Sequence, residues 1–97
     1  MTTIMLEPAE VDLTAAFDYY EKARPGLGAE FIFEFRRAVD RILEHPGAWS
    51  PLDAVYRRCL LRSFPYSVIY RVAEAEQQIV IVSVFHASRK PDSWRTR

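Results

Sequence analysis

Helix-type periodicity fills most of the first half of this 97-residue chain, and strand-type segments fill the second half. Apolar side chains recur every three or four positions from Glu7 to the loop ARPGLG, and again from Ala29 to Glu44. Such a repeat places them on one face of each helix. Because the loop between the two stretches is short, the order of the patterns predicts an antiparallel helical hairpin followed by a sheet.

Four segments carry the β-branched and aromatic residues typical of strands: TTIML, VYRRCLL, PYSVIYRV and QIVIVSVFH. The turn AEAEQ predicts a hairpin between the last two, and AWSPLDA is predicted to be a loop. QIVIVSVFH is apolar almost throughout, which predicts burial on both faces near the sheet centre. The predicted fold class is α+β, in the order β-α-α-β-β-β. A helical hairpin packs on a small, mainly antiparallel twisted sheet, in one domain over residues 1–97.

The segment PYSVIYRV combines strand character with a proline at its start. Pro65 has no backbone N–H, so it is predicted at a strand start or on a sheet edge. Side chains alternate between faces, which places Tyr66, Val68 and Tyr70 together and Arg71 on the opposite face. We predict that the helices cover one face and that the other presents arginine to solvent or to a partner.

The formal net charge of zero conceals a split between the two halves. Residues 1–54 carry five basic and ten acidic side chains, a net −5, whereas residues 55–97 carry eight basic and three acidic, a net +5. Seven of those eight cations are arginine, which suits bidentate contacts with phosphate or carboxylate. This asymmetry suggests an anionic partner, and it equally fits a solvated sheet face beside acidic helices.

Several classes of protein are disfavoured by the sequence. No apolar run approaches the roughly 18 residues of a membrane span, and the N-terminus lacks the basic region of a secretory signal. The single Cys59 excludes an internal disulfide and a cysteine-based zinc site, and we expect it to be a small buried strand residue. We therefore expect a cytoplasmic protein without a metal site or a cofactor.

A family resemblance rests on five segments in this order: AFDYYE, PGLGAEFIFEF, ILEHPGAW, RRCLLRSFPYSVIYRV and VFHASRKPDSWRTR. The block FPY-x-V-I-Y-R, followed by H-x-x-R-x-P-x-x-W, is its most specific part. With these segments the chain resembles the RelE/ParE toxin superfamily of bacterial type II toxin–antitoxin systems, and it is closest to the ParE-like branch. The resemblance implies a growth-arresting, plasmid-stabilising toxin encoded beside an antitoxin, which wraps an amphipathic segment around it.

The resemblance leaves three functions open. ParE-like members inhibit DNA gyrase, whereas RelE-like members are metal-independent endonucleases that cleave mRNA on the ribosome. The third alternative is a non-toxic domain that only binds its antitoxin. Three departures from the RelE-like pattern weigh against RNA cleavage: Ser67 where a basic residue commonly follows the strand tyrosine, Ala87 and Ser88 after the last strand, and Trp94 in place of a C-terminal tyrosine. We therefore predict gyrase as the target.

Candidate site residues follow from the resemblance and from the chemistry of phosphate. For RNA cleavage, cations stabilise the phosphate and a side chain that titrates near neutral pH moves a proton. The candidates for that function are Arg62, Arg71, His86 and Arg89. For binding a target such as gyrase, the candidates are Arg57, Arg58, Arg89, Lys90, Trp94 and Arg95.

Overall fold

The computed structural model describes residues 1–96, which form two helices, five strands and a final 3-10 helix. Helix α1 spans Glu7–Ala23 and helix α2 spans Leu27–Glu44. The other elements are β1 Thr2–Met5, β2 Ser50–Pro51, β3 Tyr56–Leu60, β4 Tyr66–Ala73, β5 Gln78–His86 and the 3-10 helix Ser93–Thr96. The predicted α+β class and the helical hairpin are confirmed.

The turn of the hairpin is organised by Glu21 near the end of α1. Its carboxylate accepts hydrogen bonds from the backbone N–H groups of Gly26 and Gly28, each at 3.0 Å. Gly26 has φ +92°, a left-handed conformation that glycine adopts without a steric penalty. A Cβ at Gly28 would lie 2.8 Å from the ring of Phe17, so the helices approach closely here. With its first N–H groups bonded in this way, α2 begins at Leu27, two residues earlier than predicted.

The five strands form one sheet in the order β1-β5-β4-β3-β2. β1 is parallel to β5, and the other neighbours are antiparallel, so the sheet is mainly antiparallel as predicted. The prediction of a loop over AWSPLDA is wrong at Ser50–Pro51, which form the edge strand β2 against β3. A two-residue strand is too short to show an alternating pattern of apolar and polar residues. Pro51 has no backbone N–H to donate, and it is tolerated because β2 is an edge strand.

Both helices pack against one face of the sheet, as predicted. The main core lies between the helices and that face. Phe31 on α2 is fully buried, and its ring lies 5.0–5.5 Å from the rings of Tyr20, Phe64 and Tyr66. Cys59 is 1% exposed in this core, as expected for a small buried strand residue. The other buried members include Phe35, Ala38 and Ile42 of α2 and Val68, Tyr70, Ile79 and Ile81 of the sheet.

The opposite face of the sheet, here called the outer face, is covered differently. Because side chains alternate along strands, Ile69 and Val80 point away from the helices, yet each is only 2% exposed. The final 3-10 helix packs against β5, and its Trp94 is 8% exposed. The C-terminal tail, residues 87–96, therefore folds back over the outer face. The sequence had indicated only a polar, basic segment there.

Within residues 1–96, neither α1 nor α2, nor the 3-10 helix, combines the length and apolarity that crossing a bilayer requires.

Candidate functional site

The four residues predicted to cleave RNA do not form one cluster. His86 ends β5 and pairs with Tyr66, whereas Arg71 pairs with Val80 near the other end of the same two strands. Arg71 lies five positions after Tyr66 in β4, which is roughly 16 Å along a strand. The structure thus places His86 and Arg71 at opposite ends of the sheet.

His86 lies at a shallow cleft of about 210 Å³ between α1 and the end of β5. Its Nδ1 accepts a hydrogen bond from the backbone N–H of Ser88 at 2.9 Å and lies 2.8 Å from the Ser88 hydroxyl. An accepting Nδ1 carries no proton, so the neutral ring has its proton on Nε2. Neither ring nitrogen then has a free lone pair, and His86 must leave Ser88 before it can act as a base.

Tyrosines on the same side of the molecule are also poor bases. The Tyr66 ring meets His86 edge-on at 4.8 Å, and the Tyr20 ring lies 6.1 Å from Tyr66. Burial raises the pKa of Tyr66, and the neighbouring Tyr20 raises it further. Burial likewise raises the pKa of Tyr20. Both phenols therefore stay protonated near neutral pH.

The outer face and the tail carry cations without carboxylate partners. Arg58 pairs with Ile69 in the ladder between β3 and β4, and Arg71 lies on the same face of β4. Arg89 and Lys90 are exposed at the start of the tail, where the Arg89 guanidinium lies 5.6 Å from the ring centre of Phe85. Among residues 1–96, no ion pair involves any of these four cations. We call Arg58, Arg71, Arg89 and Lys90 the cationic surface. It is elongated, because Arg89 lines the cleft of His86 at the opposite end of the strand pair from Arg71.

Three other predicted site residues occupy different environments. Arg57 lies on the helix-covered face, where it donates to the carbonyl of Trp49 at 2.8 Å. Its neighbour Tyr70 is buried, which raises the pKa of that phenol to about 12 despite the opposing charge of Arg57. Arg62 is exposed in the loop between β3 and β4. Trp94 packs edge-on against Tyr56 at 4.9 Å and has little surface left for a partner.

Arg95 is held by groups of the chain itself. Its guanidinium forms ion pairs with Asp53 at 2.8 Å and with Asp92 at 3.0 Å. It also lies over the rings of Trp94 and Tyr56, at 4.3 and 5.5 Å from their centres. These contacts join the end of the tail to the loop before β3.

Asp12 was not among the predicted site residues, although it supports the strand end that carries His86. β1 pairs with β5 only as far as Ile81, so the following part of β5 has an unpaired edge. Asp12 on α1 lies at this edge, where its Oδ2 accepts hydrogen bonds from Val84 N–H and from the Ser83 hydroxyl, both at 3.0 Å. In the sequence Asp12 is indistinguishable from the other acids at the start of α1, so no local signal marks it.

Two apolar depressions lie on either side of Phe33, on the outward side of α2. Their volumes are about 750 and 540 Å³, and both are lined by Phe33 and Ala29. Phe33 is 50% exposed, and the Arg37 guanidinium lies 5.9 Å from its ring centre. Glu30 and Glu34 border one depression and Arg36 and Arg37 the other. A half-exposed phenylalanine between two depressions is typical of a surface that binds another protein.

Between positions 1 and 96 there is no group of three or more His, Cys, Asp or Glu side chains arranged to hold a metal ion.

Comparison with known proteins relates nearly the whole chain to toxin–antitoxin systems. Residues 4–91 match the family described as ParE toxin of type II toxin–antitoxin system, parDE. The chain is 38% identical over 85 residues to Toxin ParE2 from two strains of Mycobacterium tuberculosis, covering 87% of this chain and 79% of that protein.

Two solved structures share the fold. One is described as the chromosomal ParDE TA system from P. aeruginosa, with a TM-score of 0.75 and 21% identity over 89% of this chain and 95% of that chain. The other is the toxin–antitoxin complex RelBE2 from Mycobacterium tuberculosis, with a TM-score of 0.59 and 25% identity over 88% of this chain and 95% of that chain. The fold of this chain is therefore similar to a chain of each of these two systems.

Proposed function

Since this chain belongs to the ParE toxin family of type II toxin–antitoxin systems, we propose that it arrests growth by inhibiting DNA gyrase and that a cognate antitoxin neutralises it. The observation that carries the choice of gyrase is the composition of the cationic surface. Its four cations can bind an anionic or nucleic-acid-bound target, whereas His86, which lines a cleft with Arg89, has its Nδ1 engaged by Ser88 and lies at the opposite end of the strand pair from Arg71. Gyrase acts on chromosomal DNA, so this function places the toxin in the cytoplasm.

Gyrase inhibition is tested first in cells and then with purified components. Induction of the chain alone is expected to stop growth and to switch on a DNA-damage reporter, and the purified chain is expected to block supercoiling by gyrase. The double variant Arg58→Glu with Arg71→Glu is expected to lose both effects, because it reverses charge on the cationic surface. Lys22→Glu, which reverses one exposed cation of α1, is the control for charge reversal elsewhere on the chain and is expected to remain toxic. Growth arrest with a silent reporter and normal supercoiling would rule gyrase out.

Ribosome-dependent mRNA cleavage is the second candidate. It is favoured by the fold shared with the RelBE2 complex and by His86 and Arg89, which both line the cleft beside α1. This function predicts growth arrest without the damage reporter, together with cut mRNA. His86→Ala and Arg89→Ala would then abolish cleavage, and a cleaving His86→Ala variant would remove His86 from the mechanism. A chain that has no effect on growth at any level of induction would be a non-toxic antitoxin-binding domain.

For neutralisation, we propose that an amphipathic segment of the antitoxin lies against Phe33. The two adjoining depressions supply the apolar area, and acids on one side with arginines on the other supply matching sites for charged side chains. Phe33→Asp is expected to weaken antitoxin binding by more than about 2 kcal/mol, roughly 30-fold, as at interface hot spots. The control is Val11→Asp, which changes an apolar residue of α1 that is 60% exposed. Equal affinity of the Phe33→Asp variant and the native chain in calorimetry would place the antitoxin elsewhere.

A further inference from the structure

The C-terminal tail crosses the outer face and is attached at both of its ends. At its start, the backbone N–H of Ala87 donates to the carbonyl of Pro65 at 2.8 Å. At its end, Trp94 and Arg95 contact Tyr56, the first residue of β3. Pro65 directly precedes β4, whereas Tyr56 pairs with a residue near the other end of β4. The tail therefore spans most of the sheet along the strand direction.

The attachment at the end of the tail depends on a rigid carboxylate. Asp53 Oδ1 accepts hydrogen bonds from the backbone N–H groups of Val55 and Tyr56, at 2.8 and 2.7 Å. The other oxygen, Oδ2, forms the ion pair with Arg95. Because the backbone holds one oxygen, the second is held in place for the guanidinium without further loss of side-chain freedom. We call Asp53, Tyr56, Asp92, Trp94 and Arg95 the tail clamp.

The tail clamp separates the basic residues of the tail into two groups. Arg95 is paired with two carboxylates and stacked on two aromatic rings, and Trp94 is buried beneath it. Arg89 and Lys90 are exposed and, within residues 1–96, have no carboxylate partner. The residues of the tail that are free to meet an anion are therefore not those that hold it in place.

We propose that Arg95 and Trp94 are positioning residues, which clamp the tail so that Arg89 and Lys90 are held together as one anion-binding site beyond the end of β5. The inference rests on the proposed function for the biological target, but the clamp and the anion-binding site can be tested without it. In an unclamped tail Arg89 and Lys90 would be spread over many conformations, and binding would have to order them at an entropic cost.

Asp53→Asn is the variant that isolates the clamp. An asparagine keeps an oxygen for the N–H groups of Val55 and Tyr56 but replaces the atom that forms the ion pair with Arg95. It also makes the chain more positive by one charge, so charge alone predicts tighter binding to a polyanion. Asp18→Asn makes the same change of charge on an exposed residue of α1 and serves as the matched control.

Two measurements on the full chain decide the proposal. The first is the salt concentration at which heparin, used as a polyanion probe, releases each variant. The second is the exposure of the Trp94 indole, followed by solvent exchange of its N–H in NMR spectra. The indole signals of Trp94 and Trp49 are distinguished with a Trp94→Phe variant.

The clamp predicts opposite outcomes for the two charge-equivalent variants. Asp18→Asn is expected to elute from heparin at the same salt concentration as the native chain or higher, with the Trp94 indole protected. Asp53→Asn is expected to elute at lower salt, with the Trp94 indole exchanging faster. Later elution of Asp53→Asn, or an unchanged Trp94 indole, would overturn the proposal. A native chain that heparin does not retain would also overturn it, because the site would then bind no polyanion.

Growth arrest separates this inference from the proposed function. If the chain is a gyrase inhibitor, Asp53→Asn is expected to need more inducer than Asp18→Asn for the same arrest. If the native chain leaves gyrase unaffected, the proposed function fails, while heparin elution and Trp94 exchange still decide the clamp. A normally toxic Asp53→Asn variant with an exposed Trp94 would show that the tail position does not matter to the target and would reject its positioning role.

Discussion

The two faces of the sheet are both covered, but the helix-covered face and the outer face differ in what covers them. Two long helices close the first face over a continuous apolar core that includes Phe31, Ile42 and Tyr70. A ten-residue tail closes part of the outer face, where its Trp94 is buried and where Ile69 and Val80 of the sheet form a smaller apolar group. The ion pairs of Arg95 hold the tail there. The first face therefore supplies most of the buried apolar area, and the second combines a little burial with exposed charge.

This difference separates stability from recognition within one small sheet. Apolar burial is the main favourable term in folding, so the helix-covered face should dominate the free energy of unfolding. The outer face can lose its tail while the rest of the chain stays folded, because few elements pack on it. The tail that carries Arg89 and Lys90 thus lies on the side of the sheet whose alteration is expected to cost the fold least.

The largest expected effect comes from removing Phe31, at the centre of the helix-covered face. Phe31→Ala leaves a cavity among Tyr20, Phe64 and Tyr66, and a buried Phe→Ala change costs about 3–5 kcal/mol. Urea denaturation followed by circular dichroism should show a lower midpoint with an unchanged slope. If the loss were no larger than that of a tail variant, the contrast between the two faces would be wrong.

A smaller effect is expected at the junction of α1 and β5. Asp12→Ala removes the carboxylate that accepts from Val84 N–H and the Ser83 hydroxyl, and losing such an acceptor in a buried setting costs about 1–3 kcal/mol. Asp12→Asn keeps one oxygen acceptor and should cost less. Hydrogen exchange of the Val84 amide should accelerate in the alanine variant. Equal stability of the two variants would mean that this contact contributes little.

Both helices and the longer strands could be predicted from the sequence, because the periodicity of their apolar residues shows which side of each element faces the core. The start of α2 was predicted two residues late, since the left-handed Gly26 and the Glu21 carboxylate together begin the helix inside the loop. The edge strand β2 was missed because its two residues are defined by pairing with β3 and not by their own pattern. These errors lie where tertiary contacts decide the local structure.

The candidate site was less accessible from the sequence than the fold. The separation of Arg71 from His86 could have been predicted, because Arg71 lies near the turn of its hairpin and His86 lies at the far end. The tail clamp could not, because Asp53 and Arg95 are distant in sequence and neither belongs to a periodic segment. Arg95 was predicted to bind the target from the family resemblance and the basic character of the tail, and the structure shows its charge engaged within the chain.

Trp94→Ala tests the outer face directly and should destabilise the chain less than Phe31→Ala does. A tryptophan in a closed core would cost about 3–5 kcal/mol, but here the tail can detach, and we expect a loss of about 1–2 kcal/mol. Limited trypsin digestion should cut after Arg89 faster in this variant than in the native chain. A loss as large as that of Phe31→Ala would mean that the tail unfolds together with the core.

The smallest expected effect is the release of the tail by acid. Backbone N–H groups of Tyr56 and Val55 hold the pKa of Asp53 below its ordinary 3.8, and Arg95 lowers it further. A lowered folded-state pKa means that the contribution of Asp53 is complete above pH 3.8 and is lost as the pH falls through the folded value. Asp92, the other carboxylate paired with Arg95, faces the same guanidinium. Exchange of the Trp94 indole should therefore rise below pH 3.8, before the helices melt.

In Asp53→Asn the indole should be exposed at every pH. A native chain whose tail and helices melt in one transition would show that the outer face is no more easily opened than the core, which would remove the basis for separating recognition from stability.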